Sequence, residues 1–174
     1  MAFIQTDIKG RMPMYIDTQF STVAAFAASR ASVRTLILDD CAFDRARLRR
    51  SLSETSLLLD VEEVANLSQF EAALRTESYD LFLIDHRLPV GNGLDALAAI
   101  RRSRSGLDAA KLMITGQVEP GLEAAAREVG CQGVVPKDEL CSDYLEPIMF
   151  DVLFGAKYDL LVQRNQSGEP PRHM

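Results

Sequence analysis

From Thr35 onward the chain alternates five times between a short apolar run and an amphipathic segment of helical period. No other feature restricts its fold as strongly. The runs are TLILDD, LDVEEVA, DLFLID, KLMIT and GVVPK. The first, third and fourth show no polar alternation, as expected of strands covered on both faces. LDVEEVA carries charges and reads as a strand near an edge. Between the runs lie AFDRARLRRSLSE, SQFEAALRTE, GLDALAAIRRS and EPGLEAAAREVG. In the first of these helices Phe43, Ala46, Leu48 and Leu52 are the expected inward positions. Ser68 is the expected cap of the second, and Gly130 is placed to end the fourth. DELCSDYLEPIMFDVLFGA closes the series as a long helix, with a bend expected at Pro147.

This alternation specifies an α/β domain, a parallel sheet with helices on both faces. Right-handed crossovers put the carboxyl end of every strand on one edge, where ligands of such folds sit. The polar residues fall at that edge. Asp39 and Asp40 end the first strand, Asp85 the third and Thr115 the fourth, and Lys137 follows the fifth. Pro89, Gly91 and Gly93 supply sharp turns behind Asp85. Any one of these acids could merely cap the next helix. Three acids, a hydroxyl and a lysine at four strand ends point instead to one shared site.

Crowded carboxylates repel one another unless positive charge lies among them. Lys137 supplies one charge. A hard divalent cation is the natural second partner, and Mg²⁺ favours oxygen ligands. A dication, an ammonium and a hydroxyl are the groups that stabilise a transferring phosphoryl group. A carboxylate such as Asp85 can act as the nucleophile, giving an aspartyl phosphate.

TLILDD, LFLIDHRLPVGNG, LMITG and VVPKDEL, in this order and spacing, resemble the receiver domain of two-component response regulators, the CheY-like superfamily. The resemblance covers roughly residues 33–154. It implies a doubly wound, flavodoxin-like sheet of five strands in the order 2-1-3-4-5. It makes Asp85 the phosphoacceptor. It makes Asp39 and Asp40 the acid pair that holds Mg²⁺, with Asp40 the more direct ligand and the carbonyl of Arg87 a backbone ligand. Thr115 matches the hydroxyl that binds the phosphoryl group, and Lys137 the lysine that pairs with it. The implied donor is a histidine kinase or a histidine phosphotransfer protein. Such a protein is no enzyme beyond catalysing its own phosphorylation and dephosphorylation.

Two positions depart from the pattern. Val134 stands three before the lysine, where receivers often carry an aromatic, so the residues for a coupled threonine–aromatic switch are incomplete. Pro136 precedes Lys137, where a proline more commonly follows.

The chain has 174 residues. Residues 1–32 read as a partly helical extension, capped by Asp17 or Thr18, with Phe20, Val23, Ala24 and Ala27 on one face. It would dock on the domain, or serve self-association, as in a homodimer, or partner binding. Residues 33–156 form the expected receiver domain and 157–174 a flexible tail. Nothing after Phe154 is long enough for a DNA-binding or enzymatic output domain, so the expected output is a contact with a downstream protein. A net charge of −6 argues against nucleic acid. No apolar run approaches the ~20 residues that span a bilayer. Cys41, Cys131 and Cys141 form no CxxC pair, which favours reduced thiols in the cytoplasm over disulfides or zinc. The Arg45, Arg47, Arg49, Arg50 group reads as a solvated helix face. His86 is expected to point away from the site or to line its entrance.

The expected function is thus a stand-alone response regulator. The alternative is a receiver-shaped scaffold or adaptor that works without phosphate. A Mg²⁺-dependent phosphatase is the third reading, and Arg87 speaks against it, because such enzymes usually place a second acid there.

Overall fold

The structure, a computed structural model, describes residues 32–103, 106 and 108–155. The expected N-terminal helix and the polar tail lie outside the described residues. Five parallel strands form one sheet in the order β2-β1-β3-β4-β5. They are β1 (Val33–Leu38), β2 (Leu59–Val64), β3 (Leu81–Asp85), β4 (Ala110–Thr115) and β5 (Gly133–Pro136). The connecting helices are α1 (Ala42–Ser53), α2 (Leu67–Thr76), α3 (Gly93–Arg102) and α4 (Leu122–Glu128). After β5 comes a 3₁₀ turn, Lys137–Glu139, and then α5 (Ser142–Phe150). The doubly wound order expected for the family is therefore the observed one.

Side chains alternate across each strand, so the two faces of the sheet carry separate cores. Leu36, Leu38, Phe82, Ile84 and Met113 pack with Phe70, Leu97, Ile100 and Ala126 of α2, α3 and α4. Ile37, Leu81, Leu83, Leu112 and Ile114 pack with Leu48, Leu52, Leu145 and Met149 of α1 and α5. This explains the unbroken apolar runs of three strands: β3 and β4 are buried at every position, and β1 over Thr35–Leu38. In the first core the fully buried Phe82 ring lies 5.8 Å from that of Phe70 and 5.7 Å from that of Tyr79. Truncating such a ring costs about 3–5 kcal/mol. The edge strand β2 alternates half-buried and exposed residues, as its charges suggest.

The register brings the polar strand ends level. Leu38 pairs with Ile84, so Asp39 stands beside Asp85. Asp85 pairs with Ile114, one residue short of Thr115. Thr115 pairs with Pro136, one residue short of Lys137. Residues almost a hundred positions apart thus share one rim.

Three local expectations are corrected. Phe43 and Ala46 do not face inward: Phe43 is 75% exposed, and the buried face of α1 runs through Leu48, Ser51 and Leu52. Asn66, not Ser68, caps α2, its side chain accepting from the Gln69 amide at 2.9 Å. The closing segment is not one long helix. It divides into the 3₁₀ turn, α5 with Pro147 inside it, and a π-type turn over Asp151–Gly155. Gly130 does end α4, at a φ of +91° that favours glycine, with its amide donating to the Arg127 carbonyl.

Candidate functional site

The site is an acidic cup at the carboxyl edge of the sheet. Its centre is the Lys137 ammonium. Nζ lies 2.8 Å from Asp39 Oδ2, 2.8 Å from Asp44 Oδ2 and 2.9 Å from Asp85 Oδ2. Asp39 and Asp85 are buried. Their second oxygens are held by the main chain: the Cys41 amide donates to Asp39 Oδ1 at 2.8 Å, and the Arg87 amide to Asp85 Oδ1 at 3.2 Å. Asp40 is exposed at the mouth. One oxygen from each of Asp39, Asp40 and Asp85 falls in a cluster no wider than 4.8 Å.

The electrostatics follow from this crowding. Burial pushes the Asp39 carboxyl above the usual carboxylate range, against the opposing pull of Lys137 and the Cys41 amide. Burial alone would lower the Lys137 ammonium. The hydrogen bonds it donates to Asp39, Asp44 and Asp85 together outweigh this and raise that group above the ordinary lysine value. Lys137 therefore stays charged.

Thr115 is fully buried at the end of β4. Its hydroxyl donates to the Gln117 carbonyl at 2.7 Å and accepts from the Gln117 amide at 3.2 Å, which folds the following loop back on itself. The Arg87 side chain crosses the mouth, donating to Gln117 Oε1 at 3.1 Å and pairing with Glu119 at 2.6 Å. His86 keeps Nδ1 buried with no hydrogen-bond partner. The loop behind Asp85 ends in a capping box. Asn92 accepts from the Leu94 and Asp95 amides, and Asp95 accepts from the Asn92 amide. Gly93 is obligatory there on grounds of space: a Cβ would stand 2.7 Å from the Asp85 carbonyl oxygen.

The comparisons with known proteins agree with this geometry. The family model for the response regulator receiver domain matches residues 35–146. The chain belongs to the response regulator receiver family. The sensor histidine kinase AruS of Pseudomonas aeruginosa is 30% identical over 113 residues, which are 64% of this chain and 11% of that protein. A protein-glutamate methylesterase/protein-glutamine glutaminase of Paramagnetospirillum magneticum is 24% identical over 140 residues, 80% of this chain and 37% of that one. The chain therefore spans well under half the length of these curated relatives. Among solved structures, the signal receiver domain of the response regulator NarL from Mycobacterium tuberculosis superposes with a TM-score of 0.63 at 25% identity. That match covers 71% of this chain and 98% of that one.

As a receiver of two-component systems, the chain brings Asp39, Asp40, Asp85 and Lys137 together as the motifs implied. Thr115 lies at the same edge with its hydroxyl engaged by the loop. Val134 is half-buried against the core shared with α2, α3 and α4, and offers no ring to rotate. The donor set suits a hard cation. Asp39, Asp40, Asp44 and Asp85 bring four carboxylates against one ammonium, so a small dication would relieve the excess charge with the oxygen ligands Mg²⁺ prefers.

Two features were missed from sequence. Asp44 enters the cup from the first turn of α1, drawn in by Lys137, and no local pattern in the sequence signals it. Arg45 is not part of a solvated face. Its side chain is only 18% exposed, donating to the Asp39 carbonyl at 2.7 Å and pairing with Glu63 at 3.3 Å. Cys41, Cys131 and Cys141 are free thiols. No helix among the described residues is long and apolar enough to cross a membrane.

Proposed function

We propose that this chain is a cytoplasmic response regulator that accepts a phosphoryl group on Asp85. The observation that carries the reading is the Lys137 ammonium bonded at once to Asp39 and Asp85, beside Asp40, in a buried cup. The donor would be a phosphohistidine on a histidine kinase or phosphotransfer protein. An Asp85 carboxylate oxygen attacks the phosphorus and the P–N bond breaks. The electron pair stays on the imidazole nitrogen, and an acyl phosphate forms on Asp85. Asp39, Asp40, Asp85 and the Arg87 carbonyl would hold Mg²⁺. When bound, it neutralises charge on the phosphoryl oxygens. Lys137 pairs with one phosphoryl oxygen. The Thr115 hydroxyl donates to another, and to do so it gives up the Gln117 carbonyl. That exchange links phosphorylation to the loop after β4 and from there to a downstream protein.

Exposed apolar side chains near the cup support a contact with the donor. Phe43 on α1, Val90 in the loop after β3 and Val118 in the loop after β4 are large apolar side chains exposed around the same edge as the cup. Such residues, ringed by polar ones, suit a transient protein contact.

The test is incubation of the full chain with acetyl phosphate and Mg²⁺, followed by intact mass. One added phosphoryl group, absent in Asp85→Asn and in the presence of a chelator, is the expected result. A chain that gains none, or gains one equally well in Asp85→Asn, refutes the assignment.

A further inference from the structure

An ammonium has three N–H donors. On Lys137 all three are taken, by Asp39, Asp44 and Asp85. The three acceptors are not equivalent. Asp39 and Asp85 are buried, each fixed by a main-chain amide, and both belong to the cluster that can hold a cation. Asp44 belongs to none of this. It stands on the first turn of α1, is 25% exposed at its side chain, and has Lys137 as its hydrogen-bond partner. Of the three it is the one that can turn to water without leaving a buried charge unpaired.

We infer that Asp44 is a resting-state anchor for Lys137, occupying the N–H that a phosphoryl oxygen on Asp85 must take, so that phosphorylation displaces it. The inference rests on the reading of Asp85 as phosphoacceptor and adds a positioning residue to it. The two anions compete for one donor and also repel each other, since a phosphoryl group adds about −1.5 to −2 charges. Asp44 therefore holds the unphosphorylated state in place. It also ties the first turn of α1 to the state of the cup, because α1 carries the carboxylate that must move.

The test is titration of the full chain with beryllofluoride, a phosphoryl mimic, in saturating Mg²⁺, followed by ¹⁹F NMR. Mg²⁺ affinity alone is measured in parallel by calorimetry. Asp44→Asn and Asp44→Ala should both bind beryllofluoride about tenfold more tightly, the scale of one charge-assisted hydrogen bond regained. Mg²⁺ affinity should be unchanged or weaker. Asp138→Asn removes the same charge next to Lys137 in sequence, without touching its three donors, and should behave as wild type. Unchanged or weaker beryllofluoride binding in both Asp44 variants overturns the anchor. Equal tightening in Asp138→Asn also overturns it, assigning the effect to net charge. Failure of the wild type itself to bind the mimic is a separate outcome: it removes the phosphoacceptor reading, and this inference with it.

Discussion

Arg87 and Glu119 meet at 2.6 Å across the mouth of the cup, joining the loop after β3 to the loop after β4. The same guanidinium reaches Gln117, whose carbonyl and amide engage the Thr115 hydroxyl. The Arg87 amide in turn holds Asp85. Asp85 and Thr115 are thus connected around the outside of the site as well as through the sheet. Both partners of the pair are about half-exposed, so the bond acts on loop position far more than on stability. Glu119→Ala should leave the thermal midpoint essentially unchanged. It should shorten the lifetime of the aspartyl phosphate, because an open mouth admits water. Phosphate release from the phosphorylated chain measures this. A lifetime equal to wild type would mean the pair does not shield the site.

The cup holds more negative charge than Lys137 neutralises, and this has a consequence for stability. Asp85→Asn keeps the shape of a buried side chain and removes one repelling charge, so the variant should melt at a higher temperature than wild type in the absence of divalent ions. Mg²⁺ should raise the wild-type midpoint, since a ligand bound only by the folded state at a hundred times its Kd adds about 2.7 kcal/mol. The same addition should raise the Asp85→Asn midpoint less. Melting curves with and without Mg²⁺ read both effects. A variant that melts below wild type in chelator would show that the Lys137–Asp85 bond outweighs the repulsion.

Much of this was legible in the sequence because parallel topology turns strand ends into neighbours. TLILDD, DLFLID and KLMIT announce buried strands by their unbroken apolar runs. The residue at the end of each then falls on one edge without any knowledge of side-chain geometry. The face of α1 was not legible. Hydrophobic periodicity assigned Phe43 inward, yet Phe43 is exposed and Asp44 turns in. What orients that turn is attraction to an ammonium 93 positions away, and no local pattern reports it. Arg45 escaped for the same reason, since its partners are a main-chain carbonyl and an acid on the neighbouring strand. At α2 the helix starts at Leu67, so Ser68 lies inside it and the cap falls to Asn66, the extended residue directly before the first turn.

Gly93 sits where α3 leaves the loop behind Asp85. A Cβ at this position would lie 2.7 Å from the Asp85 carbonyl oxygen, 3.1 Å from His86 Cα and 3.2 Å from Met113 Cε. Two of these are main-chain atoms, so the strand end itself must shift. Gly93→Ala should lower stability by about 1–3 kcal/mol, the range for overpacking. Because the shift is delivered to Asp85, it should also slow phosphorylation by acetyl phosphate more than an equally destabilising change elsewhere in the core would. Urea unfolding and intact-mass kinetics test the two halves. A variant with wild-type stability would show that the loop has room the packing does not reveal.

Lys111 presents the opposite situation, a charge inside a strand. It lies in β4, 5% exposed, with Nζ donating to the Ala109 carbonyl at 2.6 Å. Burial lowers its pKa from the ordinary lysine value of 10.5, against the weaker opposing influence of Cys131 and Asp108. A lowered lysine pKa means that the folded state binds this proton less tightly than the unfolded chain. The cost is therefore fully present below the folded pKa. It is relieved as pH rises from that value towards 10.5, where the unfolded chain also releases the proton. Lys111→Met keeps the volume and removes the charge. It should be more stable than wild type at pH 7 by on the order of 1 kcal/mol, the scale seen when buried charge gives way to apolar side chains of similar size. The gap should narrow at pH 10. Paired urea curves at the two pH values decide it. A Met variant weaker than wild type at pH 7 would show that the ammonium's contacts in β4 outweigh its desolvation.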